Sequence, residues 1–267
     1  MSLVPVTLNL VAKVRNSLAL YEIDGARECG VDAFITRREG GVSRAPYDSL
    51  NLGSHVGDDP SAVTQNRERV ARVVCVRPEK LAIPSQVHGA HVIDVDTWCG
   101  EDLVGDALVT TRSDLALCVV VADCLPILFY ERSGARVGLA HAGWRGLLAG
   151  VIPTILQNFS SCNEVDVVIG PHVTSRSYQV GPEVAAHFEH VPGAVLADTG
   201  DRRRLDLAAI AVSQLIDGRI NPDHIFVSSI PTDGGLVFFS DRAARPCGRF
   251  GFVARKLYDS SAKKGAG

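Results

Sequence analysis

The sequence predicts an α/β fold, a single domain in which a mixed sheet is flanked by helices. Apolar runs that are too short for helices alternate with only four or five segments of helical periodicity. Two central runs, residues 115–121 and 137–140, are rich in Val, Leu and Ala, which is typical of buried strands. The chain contains no internal repeat, low-complexity linker or shift in composition that would mark a second domain.

The composition is that of an ordinary globular protein, with 46% hydrophobic and 21% charged residues among 267 and a formal net charge of −3. Because no basic stripe is present, nucleic acid is not expected as a partner, and the apolar runs are too short to span a membrane. The N-terminus lacks the pattern of a signal peptide, and seven cysteines without regular spacing favour a reducing compartment. We therefore expect a cytoplasmic protein. Because the sequence offers no long amphipathic segment for a subunit interface, we expect a monomer.

The first half of the chain is predicted to contain short strands, one long loop and one helix. Strands are expected near residues 4–11, 33–36 and 92–95. The polar, glycine-rich segment after residue 36 is irregular for roughly twenty residues, and a loop this long in a compact domain is usually functional. Ser61 is expected to cap a helix of about fifteen residues whose apolar residues recur at helical spacing.

The second half is predicted to alternate helices and strands. A helix over residues 147–159 contains Pro153, which indicates a break or a first-turn position there. Asp206 is expected to cap a helix that ends at Gly218, and Pro182 to open a shorter one that reaches His190. Further strands are predicted at residues 165–169, 224–227, 236–240 and 250–254. The domain is assigned to residues 1–259, and the small, charged tail 260–267 is expected to be disordered.

Residues that can bind a metal stand where the two central apolar runs end. Cys124 follows the first run, His141 follows the second, and His88 lies upstream. Polar groups at strand ends lie at the rim of a sheet, where open α/β sheets bind ligands. A catalytic zinc has three protein ligands and one open position, so two imidazoles and a thiolate would supply such a set. We therefore expect His88, Cys124 and His141 to converge on one site.

The neighbours of these residues favour a ligand site. Gly89, Gly143 and Gly146 leave room for the close approach of a ligand or of another backbone segment. Trp144 offers a broad apolar wall, and Arg145 offers a fixed cation with planar donors.

The same residues also have structural interpretations. A cysteine after a strand is commonly a buried hydrophobic residue, and a histidine between small residues is as often a hydrogen-bonded core residue. His91 is an alternative ligand to His88, although the two would point to opposite faces of an extended segment. Arg37 and Arg145 are each consistent with ordinary surface charges, and Cys118 with the core. Taken alone, the residues predict an enzyme whose reaction stays open.

The order and content of the motifs resemble those of the YfiH-type proteins, also called the laccase-domain or polyphenol oxidase family. The resemblance covers residues 33–255, nearly the whole chain. It is carried by these segments, in order: Thr36-Arg37, Gly40-Gly41-Val42-Ser43, Asn51-Leu52-Gly53, Asn66-Arg67, Ser85-Gln86-Val87-His88-Gly89, Asp106-Ala107-Leu108-Val109-Thr110, Ala122-Asp123-Cys124-Leu125-Pro126, His141-Ala142-Gly143-Trp144-Arg145-Gly146, Ile169-Gly170-Pro171 and Tyr178-Gln179-Val180-Gly181.

This resemblance implies a fold, a metal and an activity. The implied fold is a single-domain α/β structure similar to the catalytic domain of cytotoxic necrotizing factor toxins. The implied metal is zinc, held by His88, Cys124 and His141. The implied activities are the phosphorolysis of adenosine, inosine and methylthioadenosine and the deamination of adenosine, so that purine nucleosides and phosphate are the expected partners.

Further residues are assigned to substrate by the chemistry of these reactions. Phosphorolysis requires cationic and amide donors around phosphate, and we expect Arg37, Ser43 and Arg145 to supply them. Asn51 and Gln86 are expected to hold edges of the sugar or the base.

Deamination requires a carboxylate that moves a proton while a metal-bound hydroxide attacks the purine. Asp123 is the nearest carboxylate in the sequence, and we assign it this role. Its side chain would face away from the metal if that of Cys124 faces towards it.

Three other functions are compatible with the sequence. A copper-dependent polyphenol oxidase fits the older family name and the softness of a Cys/His₂ set, but the chain has no His-x-His pair for several copper ions. A metal-free hydrolase would use Cys124 as nucleophile and His141 as base. A zinc-bearing binding module would need a closed four-ligand site, and the sequence suggests no fourth ligand.

The last third of the chain departs from the family pattern. Gln179 stands in place of a usual glutamate, and Asp241 in place of a usual tyrosine in the segment Phe239-Ser240-Asp241-Arg242-Ala243. The usual Cys-Thr is absent near Ser228-Ser229-Ile230. The metal set is intact, so these changes bear on the choice of substrate.

Overall fold

The regular structure of residues 5–100 and 102–258, the part that this computed structural model describes, consists of sixteen strands and five α-helices. The helices are α1 (Pro60–Val73), α2 (Trp144–Ala149), α3 (Val151–Leu156), α4 (Pro182–Ala185) and α5 (Leu207–Asp217). The strands are β1 (Val6–Leu8), β2 (Leu10–Arg15), β3 (Leu18–Ile23), β4 (Val31–Thr36), β5 (Leu81–Ala82), β6 (Val92–Asp94), β7 (Ala107–Thr110), β8 (Ala116–Val121), β9 (Leu125–Glu131), β10 (Val137–Ala142), β11 (Val165–Ile169), β12 (Gln179–Val180), β13 (Val195–Ala197), β14 (Arg203–Leu205), β15 (Ile225–Ser228) and β16 (Phe250–Lys256).

Most of these strands belong to two large mixed sheets. Sheet I has seven strands in the order β1-β15-β11-β9-β10-β7-β6, with parallel pairing at both ends and antiparallel pairing around β9 and β10. Sheet II has six strands in the order β2-β3-β4-β16-β8-β5. A small third sheet, β12-β14-β13, lies in the second half of the chain. The mixed α/β class predicted from the sequence is confirmed, with the strands divided among several sheets.

The two large sheets pack face to face and are covered by helices on their outer faces. Along each strand, alternate side chains point to opposite faces, so that one strand contributes to two layers. In sheet I, Leu139 faces sheet II, whereas Ala140 faces the layer of α2, α3, α4 and α5. In sheet II, Val119 faces sheet I, whereas Cys118 faces α1. Because both faces of each sheet are covered, the central strands are apolar throughout, as the continuous runs in the sequence indicate.

The helices follow the predictions with small shifts. The first helix begins at Pro60, because the carboxylate of Asp59 accepts the backbone N–H of Ser61 and acts as the N-cap in place of Ser61 itself. The predicted helix is divided at Gly150, whose φ of +86° separates α2 from α3, and Pro153 lies in the first turn of α3, one of the two positions expected for it. Asp206 caps α5 and Gly218 ends it, as predicted.

Other expectations need correction. Helix α4 ends at Ala185 and is followed by turns, so it does not reach His190. Residues 236–240 do not form a strand, because Phe238 and Phe239 are buried from an irregular segment without pairing to a sheet. The hairpin of β2 and β3 and the whole of β9 were not predicted. The long irregular loop, residues 37–59, is confirmed.

The tail 260–267 and the domain boundary at residue 259 lie outside the described residues. Among the described helices, none combines the length and the apolar character needed to cross a membrane.

Candidate metal centre and its cavity

Three side chains that are far apart in sequence meet where the chain passes between the two large sheets. His88 lies between β5 and β6, Cys124 in the short turn between β8 and β9, and His141 near the end of β10. Their ligand atoms all lie within 4.8 Å of one another. The rings of His88 and His141 meet edge to face at 4.7 Å between centroids. The structure therefore brings together the set predicted from the sequence, and the alternative ligand His91 is not part of this set.

A buried carboxylate, Asp106, holds two of these positions. Its oxygens accept the backbone N–H groups of Val87, His88 and Gly89 at 3.3, 2.8 and 2.7 Å, which fixes the turn at His88. That turn places His88 in the left-handed region, with a φ of +60°. The same carboxylate lies 2.9 Å from Nδ1 of His141, which leaves Nε2 as the available ring nitrogen. A carboxylate behind a histidine is the usual support of a metal ligand.

The electrostatics of the cluster favour a thiolate. Burial opposes ionisation of Cys124, but the imidazoles of His141 and His88 outweigh it and lower the pKa of Cys124 to about 6. Burial likewise opposes the charged form of His141, but the Cys124 thiolate and Asp106 raise the pKa of His141 to about 9. Hydrogen bonds from His141 and the turn at His88 offset burial and lower the pKa of Asp106. A thiolate is the form in which cysteine binds metals or attacks a substrate.

The donor set fits a single transition metal with an open position. Around a tetrahedral zinc, nitrogen and sulfur ligands stand roughly 3.5 Å apart, a spacing that these three side chains can adopt. No fourth metal-binding side chain joins the cluster within residues 5–100 and 102–258. The cluster is also the one group of three or more such side chains in that part of the chain, so the described residues hold no set for several copper ions. Three ligands and an open side are typical of a catalytic site.

The cluster opens into a cavity of about 320 Å³ with aromatic and cationic walls. The guanidinium of Arg145 lies 4.3 Å from the ring centroid of Trp144, and that of Arg242 lies 5.0 Å from that of Tyr178. Neither guanidinium forms an ion pair with a described carboxylate. The cavity therefore offers aromatic faces for a planar ligand and two free cations for an anionic one.

Gly143 is required where the cavity meets the cluster. A Cβ atom at this position would lie 2.9 Å from Sγ of Cys124 and 3.3 Å from the ring of His88. Of the glycines that the sequence predicts to allow close approach, Gly143 is thus the one that touches two members of the set. At Gly89, in contrast, a Cβ atom would meet its nearest neighbour at an ordinary 3.5 Å.

Besides the three metal-binding side chains, three residues to which the sequence assigns a substrate or catalytic role line this cavity: Gln86, Asp123 and Arg145. The amide of Gln86 both donates to and accepts from the backbone of Val120 in β8, at 2.9 and 2.8 Å, so it completes the edge of that strand. Arg145, in contrast, keeps its donors free for a ligand.

Asp123 lies in the same turn as Cys124 but is fully engaged with the opposite side of the cavity. Its carboxylate accepts the hydroxyls of Thr232 and Ser240 at 2.6 and 2.7 Å and the backbone N–H of Arg242 at 2.7 Å. It is buried, and its φ is +93°. These contacts fix the segment that carries Arg242 to the turn that carries Cys124.

Arg37 and Ser43 do not line this cavity, and their contact with substrate stays a prediction. Arg37 pairs with Glu39 at the start of the long loop. The hydroxyl of Ser43 is buried and accepts Nδ2 of Asn66 in α1. Ser43 therefore connects the loop to α1, whereas the guanidinium of Arg37 lies 5.9 Å from the ring centroid of Tyr21 in sheet II.

Asn51 also acts within the loop and does not reach the cavity. It is fully buried, and its Oδ1 accepts the N–H groups of Gly53 and Arg249 at 2.9 and 2.8 Å. Through Arg249, which does line the cavity, Asn51 connects the loop to the site. Its role is therefore to position the wall.

The two substitutions relative to the family pattern, Gln179 and Asp241, lie at different distances from the cavity. The side chain of Gln179 donates to Asp198 on the outer surface and does not line the cavity. Asp241 does line it, where it pairs with Arg245 and Arg249. The sequence comparison therefore pointed to one change at the substrate wall, at Asp241.

Sequence reasoning did not assign roles to Asp106, His55, Tyr178 and Arg242. Asp106 and Tyr178 stand within the motifs that carried the resemblance, so their motifs were the available signal. His55 and Arg242 reach the cavity from irregular segments whose position no local pattern indicates.

Together, the fold and the cluster define a class of α/β protein with an open His₂Cys site at the junction of two packed sheets. Residues 32–255 match the family described as multi-copper polyphenol oxidoreductase laccase. The chain belongs to this family, as the motif resemblance predicts.

Curated relatives and solved structures agree with this membership. The chain is 42% identical over 202 residues to the purine nucleoside phosphorylase PA4543 of Pseudomonas aeruginosa, with 70% of this chain and 81% of that protein covered. It is 39% identical over 227 residues to the purine nucleoside phosphorylase SCO2081 of Streptomyces coelicolor, with 82% and 93% covered. The structure of YlmD from Geobacillus stearothermophilus is similar with a TM-score of 0.86 and 28% identity, over 95% of this chain and all of that one. The structure of YfiH from Bacillus licheniformis has a TM-score of 0.83 and 29% identity, with 90% and 96% covered.

Proposed function

We propose that the chain is a metal-dependent purine nucleoside phosphorylase whose active site is the cavity beside His88, Cys124 and His141. The observation that carries the proposal is one cavity in which an open three-ligand cluster faces two aromatic rings and two unpaired guanidiniums. The names of the curated relatives support this activity. We take adenosine, inosine and methylthioadenosine as the nucleosides to test.

In phosphorolysis, an oxygen of phosphate forms a bond to C1′ of the ribose while the bond from C1′ to the purine nitrogen breaks. The purine leaves with the bonding electrons and takes up a proton, and the sugar is released as its 1-phosphate. Arg145 and Arg242 are the groups we assign to phosphate, since both keep their donors free beside the cluster. The rings of Trp144 and Tyr178 line the same cavity, and we assign to the purine the surface of each ring that its guanidinium does not cover.

His88, Cys124 and His141 would hold the metal, and Asp106 would orient His141 by its hydrogen bond to Nδ1. A bound ion would supply Lewis-acid polarisation of an oxygen at its open position. Zinc is our first assignment. A Cys/His₂ set also accepts copper, and Cu²⁺ binds such ligands more tightly than Zn²⁺ does. The test below therefore includes identification of the metal.

Adenosine deamination stays a prediction from the resemblance. It needs a carboxylate that moves a proton, and the assigned Asp123 already accepts three hydrogen bonds from Thr232, Ser240 and Arg242. Those contacts favour a positioning role for Asp123 over proton transfer.

The test combines metal analysis with product identification on the full chain. Each nucleoside is incubated with and without phosphate, and the products are separated and identified by mass. We expect one metal per chain, free purine and sugar 1-phosphate only when phosphate is present, and at least a hundredfold loss of turnover in Cys124→Ala. Cys75→Ala changes an exposed cysteine outside the cavity and is the matched control.

Other outcomes would contradict the proposal in identifiable ways. Ammonia and inosine from adenosine without phosphate would identify a deaminase. Oxygen consumption with a phenol, in copper-loaded protein alone, would identify the oxidase. Metal-free protein whose thiol is acylated by an ester would identify the Cys124/His141 hydrolase.

A further inference from the structure

A second chamber of about 390 Å³ adjoins the cavity of the metal centre. The two share three lining residues, His55, Gln86 and Val120. Because Gln86 is bonded to the backbone of β8 in both directions, the wall between them is rigid at that residue. The mechanism proposed above makes no use of this chamber.

The chamber contains a guanidinium without a counterion. Arg67 extends from α1, and its Nε and Nη2 both donate to the carbonyl oxygen of Leu52, at 3.0 and 2.8 Å. Its Nη1 has no hydrogen-bond partner, and the guanidinium has no ion pair, among the residues that the structure describes. Burial lowers the pKa of Arg67. A partly buried cation is costly unless an anion compensates it, and the protein supplies none here.

An imidazole without a hydrogen bond stands beside this guanidinium. His55 lines both cavities from the long loop, its side chain is exposed, and no described residue bonds to either of its ring nitrogens. Partial burial, followed by the charges of Arg249 and Arg67, lowers the pKa of His55, which favours its neutral form, an imidazole that still has one N–H to donate.

The carboxylates near the chamber do not neutralise it. Asp241 is already paired with Arg245 and Arg249. Asp102 lines the chamber, but it is exposed and forms no ion pair with a described residue. An anion therefore fits the guanidinium of Arg67, and the imidazole of His55 can donate a hydrogen bond to the same ligand.

We propose that this chamber is a subsite for a phosphoryl oxyanion, held by Arg67 and His55 next to the metal centre. Three features define the ligand: a planar set of guanidinium donors, an imidazole nitrogen within the same wall, and continuity with a cavity of nucleoside size. The oxyanion is either the phosphate ester of a nucleotide whose base and sugar occupy the first cavity, or the inorganic phosphate co-substrate, which would then bind at Arg67 and His55 in place of Arg145 and Arg242. The choice between these two sources rests on the proposed function, whereas the oxyanion site itself does not.

The first arm of the test measures binding without turnover. Inorganic phosphate and adenosine 5′-monophosphate are titrated by calorimetry into the metal-loaded chain and into His55→Asn, Arg67→Lys, Arg145→Gln and Arg72→Gln. His55→Asn removes no hydrogen bond, and Arg67→Lys keeps the charge, so both are expected to fold, which thermal unfolding checks. Arg72→Gln removes one exposed cation from the same helix and is the control for net charge.

We expect binding of at least one of the two ligands to weaken about tenfold in His55→Asn and Arg67→Lys and to be unchanged in Arg72→Gln. If binding is unchanged in both chamber variants and is lost only in Arg145→Gln, the oxyanion site lies in the first cavity and the proposal is overturned. These binding measurements test the oxyanion site even if the protein cleaves no nucleoside.

The second arm distinguishes the sources through kinetics. If the chamber holds the co-substrate, both chamber variants raise KM for phosphate about tenfold and leave KM for adenosine unchanged. If it holds a phosphate ester, they raise KM for the nucleotide and leave that for phosphate unchanged. The proposal would be overturned if neither variant changed KM for phosphate or KM for the nucleotide relative to wild type.

Discussion

Asp106 and His141 are joined by a contact of 2.9 Å between a carboxylate oxygen and Nδ1 of the imidazole, and both residues are buried. The same carboxylate accepts three N–H groups from the turn of His88. One side chain thus sets the direction of one ligand and the backbone of another. The geometry of the metal centre therefore depends on Asp106, which is not itself one of the three proposed ligands.

Asp106→Asn is expected to weaken metal binding 10- to 100-fold, because the amide nitrogen cannot accept the N–H groups that now meet the second oxygen. Affinity is measured by competition with a chromophoric chelator. Asp59→Asn, at the N-cap of α1, is the control and should keep the affinity of wild type. Equal affinities in the two variants would show that Asp106 does not support the site.

Gly143→Ala is expected to displace the thiol of Cys124 and to lower both metal content and turnover at least tenfold, since the new methyl group would lie 2.9 Å from Sγ. Gly89→Ala should be tolerated, because its methyl group would meet its nearest neighbour at 3.5 Å and its N–H would still reach Asp106. Elemental analysis and turnover of the two variants give the comparison. Similar losses in both would refute the steric argument.

The metal-free protein is expected to show an alkylation rate at Cys124 that rises with pH around an inflection near 6, where the thiolate forms. Below that pH the thiolate is protonated and the rate falls. Burial raises the pKa of Cys118 to about 12, so Cys118 should stay unlabelled at neutral pH, and cleavage before Asp123 separates it from Cys124. Iodoacetamide labelling followed by peptide mass mapping measures both, and a bound metal should protect Cys124. An inflection above 8 would show that the imidazoles do not stabilise the thiolate.

Asp123→Asn is expected to lower the free energy of unfolding by about 1–3 kcal/mol, because the amide nitrogen would face donors from the segment of Ser240 and Arg242. Urea denaturation measures the change, with the exposed Asp201→Asn as the control. Unchanged stability combined with abolished turnover would instead assign Asp123 to the reaction.

The placement of Cys124 and His141 at the ends of strands could be predicted from sequence because it depends on local patterns, whereas the pairing of β9 with β10 that brings them together was not predicted. Each residue follows an apolar run, and β9 and β10 pair so that His141 lies opposite Pro126, two residues from Cys124. Buried strands also explain why the fold class could be predicted. That the strands would divide between two sheets could not, since an apolar run does not show which sheet it joins.

The substrate roles expected for residues of the long loop stay predictions, although the described contacts of these residues lie within the protein. Asn51 was given a substrate role because it is polar and lies in an irregular segment, but its partner is the N–H of Arg249, 198 residues away. The strand expected at residues 236–240 failed because burial of Phe238 and Phe239 produces the same pattern as pairing. Contacts at this separation leave no local signal in one sequence.

The chain changes sheets at two of the three ligand positions. Cys124 lies between β8 of sheet II and β9 of sheet I, and His88 lies between β5 of sheet II and β6 of sheet I. An ion bound there would cross-link the connections between the two sheets, so that separating the sheets would require release of the ion. A bound ion would then raise the free energy of unfolding, by about 2.7 kcal/mol at a free-ion concentration a hundred times Kd, and would raise the melting temperature.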